Sequence, residues 1–317
     1  MNKLRVPYNI KDLPPRTLPA GATTLAAAVA ATADFLRPAT GSTALITGAG
    51  VSVESGIPDY RGPAGIYTSN KAYRPIFYSE FVGKHAYRQR YWARSYLGWA
   101  TVRDARPNRV HRLVGELHRA GWIASLVTQN VDGLHGPFVD DVTNLHGSLA
   151  DVTCLGCRTK VPRVAVQAQL TALNPSWAAM VTADVVATLK KNPDGDLELP
   201  AGVSYEAFAY PRCGTCAGVL KPDVIFFGES LDEAVRAEAQ RKVGAADKLL
   251  VVGSSLATYS AFRFLKESKA AGKRVGLIST GAVRGEHEWL DDGDLRVSFS
   301  AGDVLEGVVA ASRIQID

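Results

Sequence analysis

The sequence predicts an α/β fold: a doubly wound, Rossmann-like parallel sheet carrying a second, smaller domain of helices and cysteine pairs. Three observations predict it. Short runs rich in Val, Ile and Leu recur along the chain and end in Gly, Ser, Asn or Asp. Helical patterns alternate with these runs, which is the signature of a parallel sheet covered on both faces. Two segments, 63–99 and 151–221, break the alternation.

Taken in order, the Ala-rich run Ala20–Ala33 reads as a buried helix; Gly, Thr and nearby charges interrupt it well short of the roughly 18 apolar residues of a membrane span. Thr43–Gly48 is the first strand. Residues 63–99 hold many aromatics and arginines and no clear strand. Asn108–Ala120 places Val110, Leu113, Val114 and Leu117 on one helical face. Ala124–Gln129 and the shorter Val142–His146 are strands. Residues 192–202 are polar, with Pro, Asp and Gly, and read as a loop. Leu231–Ala246 is a charged helix. Leu249–Gly253, Arg274–Ser279 and Leu295–Phe299 complete the strands. The expected Rossmann-like domain is therefore 20–62, 100–150 and 222–317, with 63–99 and 151–221 as insertions that together build the small domain.

Composition narrows the function classes. The 317 residues suffice for one large and one small domain, and 46% hydrophobic with 21% charged residues is ordinary for a globular protein. The net charge of +5 is mild, and no basic run carries interleaved aromatics, so nucleic acid is not an expected partner. Residues 1–15 lack the apolar core of a secretory signal. A cytoplasmic location is expected, with a mitochondrial matrix as the alternative, and no membrane association. The four cysteines form two Cys-x-x-Cys pairs, Cys154/Cys157 and Cys213/Cys216. With no secretory signal they read as a closed structural zinc site, which needs four thiolates, rather than as disulfides. The 55 residues between the pairs exceed the usual spacing, and redox-active dithiols are the alternative.

Gly48-Ala49-Gly50 follows the first strand and runs into Val51–Gly56 and then Ile57-Pro58-Asp59-Tyr60-Arg61-Gly62. A glycine loop at a strand-to-helix turn lets backbone approach a phosphate, although such a loop can also be a simple tight turn. No acidic residue ends a second strand about 20 positions on, as the ordinary dinucleotide fingerprint requires, so this is a variant of that site. Gln129, Asn130 and Asp132 follow the second strand, at the end where ligands meet such sheets. His146 ends the third. Imidazole suits a general base because its pKa lies near operating pH. Of the other histidines, His85, His118 and His287 read as surface or helix residues, His111 as a helix residue and His135 as a structural neighbour of the site.

These motifs resemble the sirtuin family. GAGVSVESGIPDYRG at 48–62, TQNVDGLH at 128–135, Leu145-His146-Gly147, the two cysteine pairs, KPDVIFFGE at 221–229 and Gly253-Ser254-Ser255 stand in the family's order. RQRYWAR at 88–94 and LNPSW at 173–177 further resemble its class II, sirtuin-four-like branch. The resemblance implies an NAD-dependent protein-lysine deacylase with one structural Zn2+. Nicotinamide leaves as the acyl oxygen attacks the ribose, and His146 then activates a ribose hydroxyl to give O-acyl-ADP-ribose. It implies His146 and Asn130 as catalytic residues. It implies NAD contacts from Gly48, Ala49, Gly50, Ser52, Ile57, Pro58, Asp59, Tyr60, Arg61, Gln129, Asn130, Val131, Asp132, His146, Gly253, Ser254, Ser255, Ser279, Thr280, Gly281 and Ala301. Tyr60 stands where many members have Phe, in a mobile lid, and Ser279 where many have Asn. Val224, Ile225, Phe226, Phe227 and Gly228 resemble the strand that pairs with the substrate peptide. Tyr91 and Arg94 share a helical face and resemble a pair that binds an acidic acyl group, such as glutaryl; a solvated arginine on an amphipathic helix is the alternative. Acyl-lysine proteins are the expected substrates and a monomer the expected state. Protein mono-ADP-ribosyl transfer and a non-catalytic NAD or acyl-lysine sensor are the other readings.

Overall fold

The structure, a computed structural model, describes residues 14–62, 65–69, 73–180, 189–191, 197–199 and 204–312. Its main sheet contains the six expected runs: β1 (Thr43–Thr47), β2 (Ser125–Thr128), β3 (Val142–Asn144), β9 (Lys248–Val252), β10 (Arg274–Ile278) and β11 (Leu295–Val297). Each stops one or two residues before the end of its run. All neighbours pair parallel, in the order β3-β2-β1-β9-β10-β11. Winding outward in both directions from β1 and β9 creates a switch point between them, where the loops leaving the two strands diverge and open a crevice.

Alternation along each central strand supplies two cores. Leu45, Leu250 and Val252 face the helices Leu25–Leu36, Arg109–Arg119 and Ala301–Ala311. Ala44, Ile46, Leu249 and Val251 face Glu233–Ala245 and Tyr259–Ala270. The first helix begins later than the Ala-rich run suggested. Thr24 caps it by accepting from the Ala27 N–H. It buries only Ala28, Thr32, Phe35 and Leu36, so it is a half-exposed cover and not a buried helix. Alanine is a strong helix former wherever it sits, which made composition a poor guide to burial.

A third core joins the two interrupting segments. Phe81, Tyr91, Trp92 and Leu97 from 73–104 pack with Leu149, Val152, Val166, Trp177, Phe208 and Leu220. The helix His85–Asp104 carries Trp92 in this core and continues five residues past the expected limit at 99. A three-stranded sheet β5-β4-β8 crosses the other limits: β4 spans Gly147–Cys154, β5 Lys160–Pro162 and β8 Leu220–Val224. A hairpin of β6 (Lys190–Lys191) and β7 (Leu197–Glu198) puts a strand inside the expected loop 192–202, whose residues 192–196 and 200–202 lie outside the described residues. Leu197 is buried in the third core, which explains a strand within so polar a stretch.

Candidate active site

One cleft of about 1800 Å³ runs along the carboxyl ends of β1, β2, β9 and β10 and under the third core. Its floor is built by close approach of two loops. After β1, the Gly48 N–H donates to the Val252 carbonyl (3.1 Å) and the Gly50 N–H to the Gly253 carbonyl (2.8 Å). A Cβ on Gly50 would lie 2.8 Å from the Gly253 oxygen, and one on Gly253 would lie 2.7 Å from the Val51 nitrogen. Gly253 also holds φ at +63°, where side chains are disfavoured. The glycines therefore let the β1 and β9 loops interlock, which leaves the first turn of the 3₁₀ helix Ala49–Ser55 facing the cleft.

Polar side chains at the ends of β1 and β2 are cross-braced. Thr47 and Thr128 stand in register and share a 2.8 Å hydroxyl bond. Asn130 Nδ2 donates to the Gly48 carbonyl (3.2 Å) and to Ser52 Oγ (3.0 Å), and Ser52 Oγ donates to Asp132 Oδ2 (2.7 Å). Gln129 Nε2 donates to Ser254 Oγ (2.8 Å), linking the β2 end to the β9 loop. Beside them the His111 and His135 rings meet at a tilt of 59°, with 4.7 Å between ring centres. Burial lowers the pKa of both, His135 to about 3, so they are neutral imidazoles; nearby Asp132 partly offsets the effect on His111.

His146 lies where the chain leaves one sheet and enters the other. Leu145 N donates to the Thr128 carbonyl beside β2, whereas Gly147 already opens β4. Gly147 makes the turn at φ +84°, with the Asp223 carbonyl of β8 2.0 Å from where a Cβ would sit. His146 Nδ1 contacts the Gln129 carbonyl at 3.0 Å and Nε2 contacts Ser260 Oγ at 2.8 Å. Burial pushes its pKa down to about 4, against the pull of the Gln129 carbonyl. It is an unprotonated base at neutral pH.

Every residue expected to contact cofactor or substrate lines this cleft except Pro58, which lies between the lining residues Ile57 and Asp59. Tyr60 stacks on Tyr67 (6.0 Å), Arg61 lies 4.9 Å from the same ring, and Asp59 Oδ1 accepts from the Gly62 N–H, tightening the segment. Ser279, Thr280, Gly281 and Ala301 line the far end. Arg296 holds that end from below. It is buried, donates to the Ser279 carbonyl (2.9 Å) and the Gly281 carbonyl (2.8 Å), and pairs with buried Glu286.

Two expectations need correction. Of 224–229 only Val224 is in a strand; Ile225–Glu229 turn instead, and Phe227 makes a single bridge to Phe77. The cause is buried Lys221, whose Nζ donates to the Val224 carbonyl and to Glu229 Oε2, while that carboxylate accepts the Phe226 N–H. Folding the segment back onto its own lysine leaves little of it free to continue β8. The solvated reading of Arg94 also fails: Arg94 is 5% exposed and Tyr91 7%, both on the cleft wall. Tyr91 packs against Phe81, Trp92 and Phe226. Sequence reasoning missed Thr258, Ser260 and Arg284, which also line the cleft and belong to no recognisable motif.

Away from the cleft, the four cysteines come together. Their sulfurs all lie within 4.8 Å of one another, with Cys154–Cys216 at 3.5 Å and Cys157–Cys213 at 3.6 Å. A tetrahedral zinc with bonds of about 2.3 Å sets sulfurs about 3.8 Å apart, so the donor set fits that ion. Gly218 packs against two of the sulfurs, where a Cβ would lie 2.9 Å from Cys154 Sγ.

Comparison with known proteins agrees in sequence and in fold. The profile of the Sir2 family matches residues 48–260. The NAD-dependent protein deacylase SIR4 of Batrachochytrium dendrobatidis is 44% identical over 291 residues, 88% of this chain and 93% of that protein. The NAD-dependent protein deacetylase 1 of Streptomyces coelicolor is 41% identical over 284 residues, 89% of each chain. The crystal structure of a Sir2 homolog–NAD complex superposes with a TM-score of 0.61 at 28% identity, covering 88% of this chain and 93% of that one.

Proposed function

The chain belongs to the Sir2 family, and from that premise we propose how its cleft works as an NAD-dependent protein-lysine deacylase. NAD supplies the ADP-ribose that takes the acyl group from lysine as nicotinamide leaves, giving O-acyl-ADP-ribose. The observation that carries the assignment of roles is the convergence of an unprotonated His146, the cross-braced Asn130 and Asp132, and the interlocked glycine loops on one cleft.

The Gly48–Gly50 and Gly253–Ser255 loops bind the diphosphate and its riboses, because glycine there lets the two loops interlock and set their backbone, with Ser254 and Ser255, against the cleft. Asn130 and Asp132 orient the nicotinamide end; both already hold defined side-chain directions through Ser52. His146 takes a proton from a ribose hydroxyl at Nε2, and its lowered pKa keeps the imidazole neutral at neutral pH. The acyl-lysine enters beside Val224–Gly228. Arg94 sets a preference for an acidic acyl tail: a buried guanidinium on an apolar wall favours a carboxylate that forms forked hydrogen bonds. The four cysteines hold one structural zinc that ties β4 to the turn before β8.

The test is mass spectrometry of purified protein with NAD and a panel of acetyl-, longer acyl- and glutaryl-lysine peptides, with His146→Ala and Arg94→Met in parallel. Loss of acyl mass with O-acyl-ADP-ribose formed, absent in His146→Ala, supports the roles given. Equal rates on glutaryl and acetyl peptides, unchanged by Arg94→Met, would remove the acidic preference. ADP-ribose appearing on protein without deacylation would move the assignment to ADP-ribosyl transfer.

A further inference from the structure

The nitrogen of His146 that must act as base already has a partner. The Gln129 carbonyl is an acceptor only, so Nδ1 at 3.0 Å carries the imidazole proton. A neutral ring carries one such proton, and Nε2 is then a bare lone pair. Its contact, Ser260 Oγ at 2.8 Å, is therefore the donor. Ser260 is the second residue of the helix Tyr259–Ala270, which packs in the second core through Ala261, Phe262, Phe264 and Leu265. The hydroxyl is thus presented by a rigid element, while its own side chain opens on the cleft.

We propose that Ser260 is a positioning residue of this reaction: with the Gln129 carbonyl it clamps His146 at both ring nitrogens, fixes the tautomer that leaves Nε2 as the base, and yields that lone pair to the incoming ribose hydroxyl. This rests on the deacylase reading above. The proton balance is simple. The ribose hydroxyl gives its proton to Nε2 as its oxygen bonds to the acyl carbon; the electron pair displaced there returns to the lysine nitrogen, which takes the proton back from Nε2 and leaves as the free amine when its C–N bond breaks. Ser260 turns about its C–O bond and accepts from the new Nε2–H, neither gaining nor losing a proton. Without the hydroxyl, the ring keeps only the Nδ1 anchor and is free to tilt and to mix tautomers.

Two readouts separate this role from a structural one. Nitrogen-15 NMR of the imidazoles in the full-length protein reads the tautomer. Nicotinamide–NAD exchange with an acyl-lysine peptide reads the steps before the base is needed, and product release reads those after. Ser260→Ala should bring a population with the proton on Nε2. It should lower kcat for O-acyl-ADP-ribose roughly 5-fold, the worth of about one lost hydrogen bond on the base, and keep exchange within about 2-fold of the parent. Ser260→Thr, which retains the hydroxyl, should restore both tautomer and kcat. An unchanged tautomer and kcat in Ser260→Ala would overturn the proposal, as would exchange and product formation falling together in both variants. If the parent protein turns over no acyl-lysine peptide at all, the deacylase reading fails first, and the tautomer measurement alone decides whether Ser260 clamps His146.

Discussion

Gly50→Ala replaces a hydrogen with a methyl group where the β1 and β9 loops touch. The new Cβ would lie 2.8 Å from the Gly253 oxygen, 2.9 Å from its Cα and 3.1 Å from its carbonyl carbon. All three are backbone atoms, so no side chain can swing away. Reaching ordinary van der Waals distance requires the loops to part by about half an ångström. That movement stretches the 2.8 Å bond from Gly50 N–H to the Gly253 carbonyl. Overpacking of this size costs about 1–3 kcal/mol and the weakened hydrogen bond up to about 1 more. In a chain this long about 2 °C of melting temperature accompanies each kcal/mol, so a fall of about 2–8 °C is expected. The same displacement misplaces both sides of the phosphate site and should weaken NAD binding at least about tenfold. Gly244→Ala is the counterpart: exposed, inside the helix Glu233–Ala245, with nothing within 4 Å of its Cβ position. It should raise the melting temperature by about 1–2 °C, from the roughly 0.5–1 kcal/mol that glycine costs within a helix. Thermal melting with calorimetric NAD titration reads both variants. A Gly50→Ala protein that melts with the parent and binds NAD within twofold would refute the interlocked-loop account.

Removing zinc with a chelator at neutral pH should release one ion per chain and loosen the small sheet; hydrogen exchange should rise in β4, β5 and β8 while β1 and β9 stay protected, and uniform protection throughout would count against a structural ion. Acidification should destabilise the fold through its buried histidines. The folded pKa values of His146 (about 4) and His135 (about 3) lie below the unfolded value near 6.5, so the unfolded chain binds more protons as pH falls through that window. Stability is fully present above about pH 6.5 and declines toward pH 4; equal unfolding free energies by denaturant at pH 7 and pH 5 would contradict this. Arg296→Met leaves Glu286 as an unpaired buried charge and should cost about 3–5 kcal/mol in urea unfolding, while Arg296→Met with Glu286→Leu should recover much of it. Both variants free the Ser279 and Gly281 carbonyls from their donor and should raise KM for NAD more than they lower kcat; an unchanged KM would show that the Ser279–Gly281 loop holds its shape without Arg296.

The main sheet was legible because its central strands are buried on both faces. β1, β9 and β10 carry apolar residues at successive positions, and a run like Leu249–Val252 has no plausible place but a covered sheet. The punctuation was legible for the complementary reason: Gly48, Gln129, Gly253 and Ser279 stand where apolar packing ends and the cleft begins. β4 was not legible. Its side chains alternate irregularly between cover and solvent, and its register on β8 shifts between Gly147 and Val152, so no simple period marks it. The turn at Ile225–Glu229 was hidden because it depends on Lys221 folding back to Glu229, a short-range contact that competes with strand pairing. His111 and Ser260 lacked any motif, and each acquires its place only through packing: His111 under Ser52, Ser260 against His146.

The position of His146 follows from topology. β3 is an edge strand, and after Asn144 the chain has exhausted its partner β2. To enter β4 it must turn sharply, and Gly147, tight against β8, permits that turn. The residue just before the turn is therefore held by β2 on one side, through Gln129, and by the small sheet on the other, where Ile225 N–H donates to the His146 carbonyl at 2.8 Å. A base at this junction is fixed to both halves of the cleft at once. A movement of the small sheet relative to the large one is felt at the backbone of His146, so closure over a bound substrate and the aim of Nε2 are mechanically coupled. Mutations that loosen the third core at residues behind the cleft wall, such as Trp92→Ala, should consequently lower kcat for product formation more than they weaken NAD binding, since the nucleotide loops stand on the large sheet alone. A Trp92→Ala protein that stays folded and keeps its kcat while losing NAD affinity would show that the two halves of the cleft are not coupled through this residue.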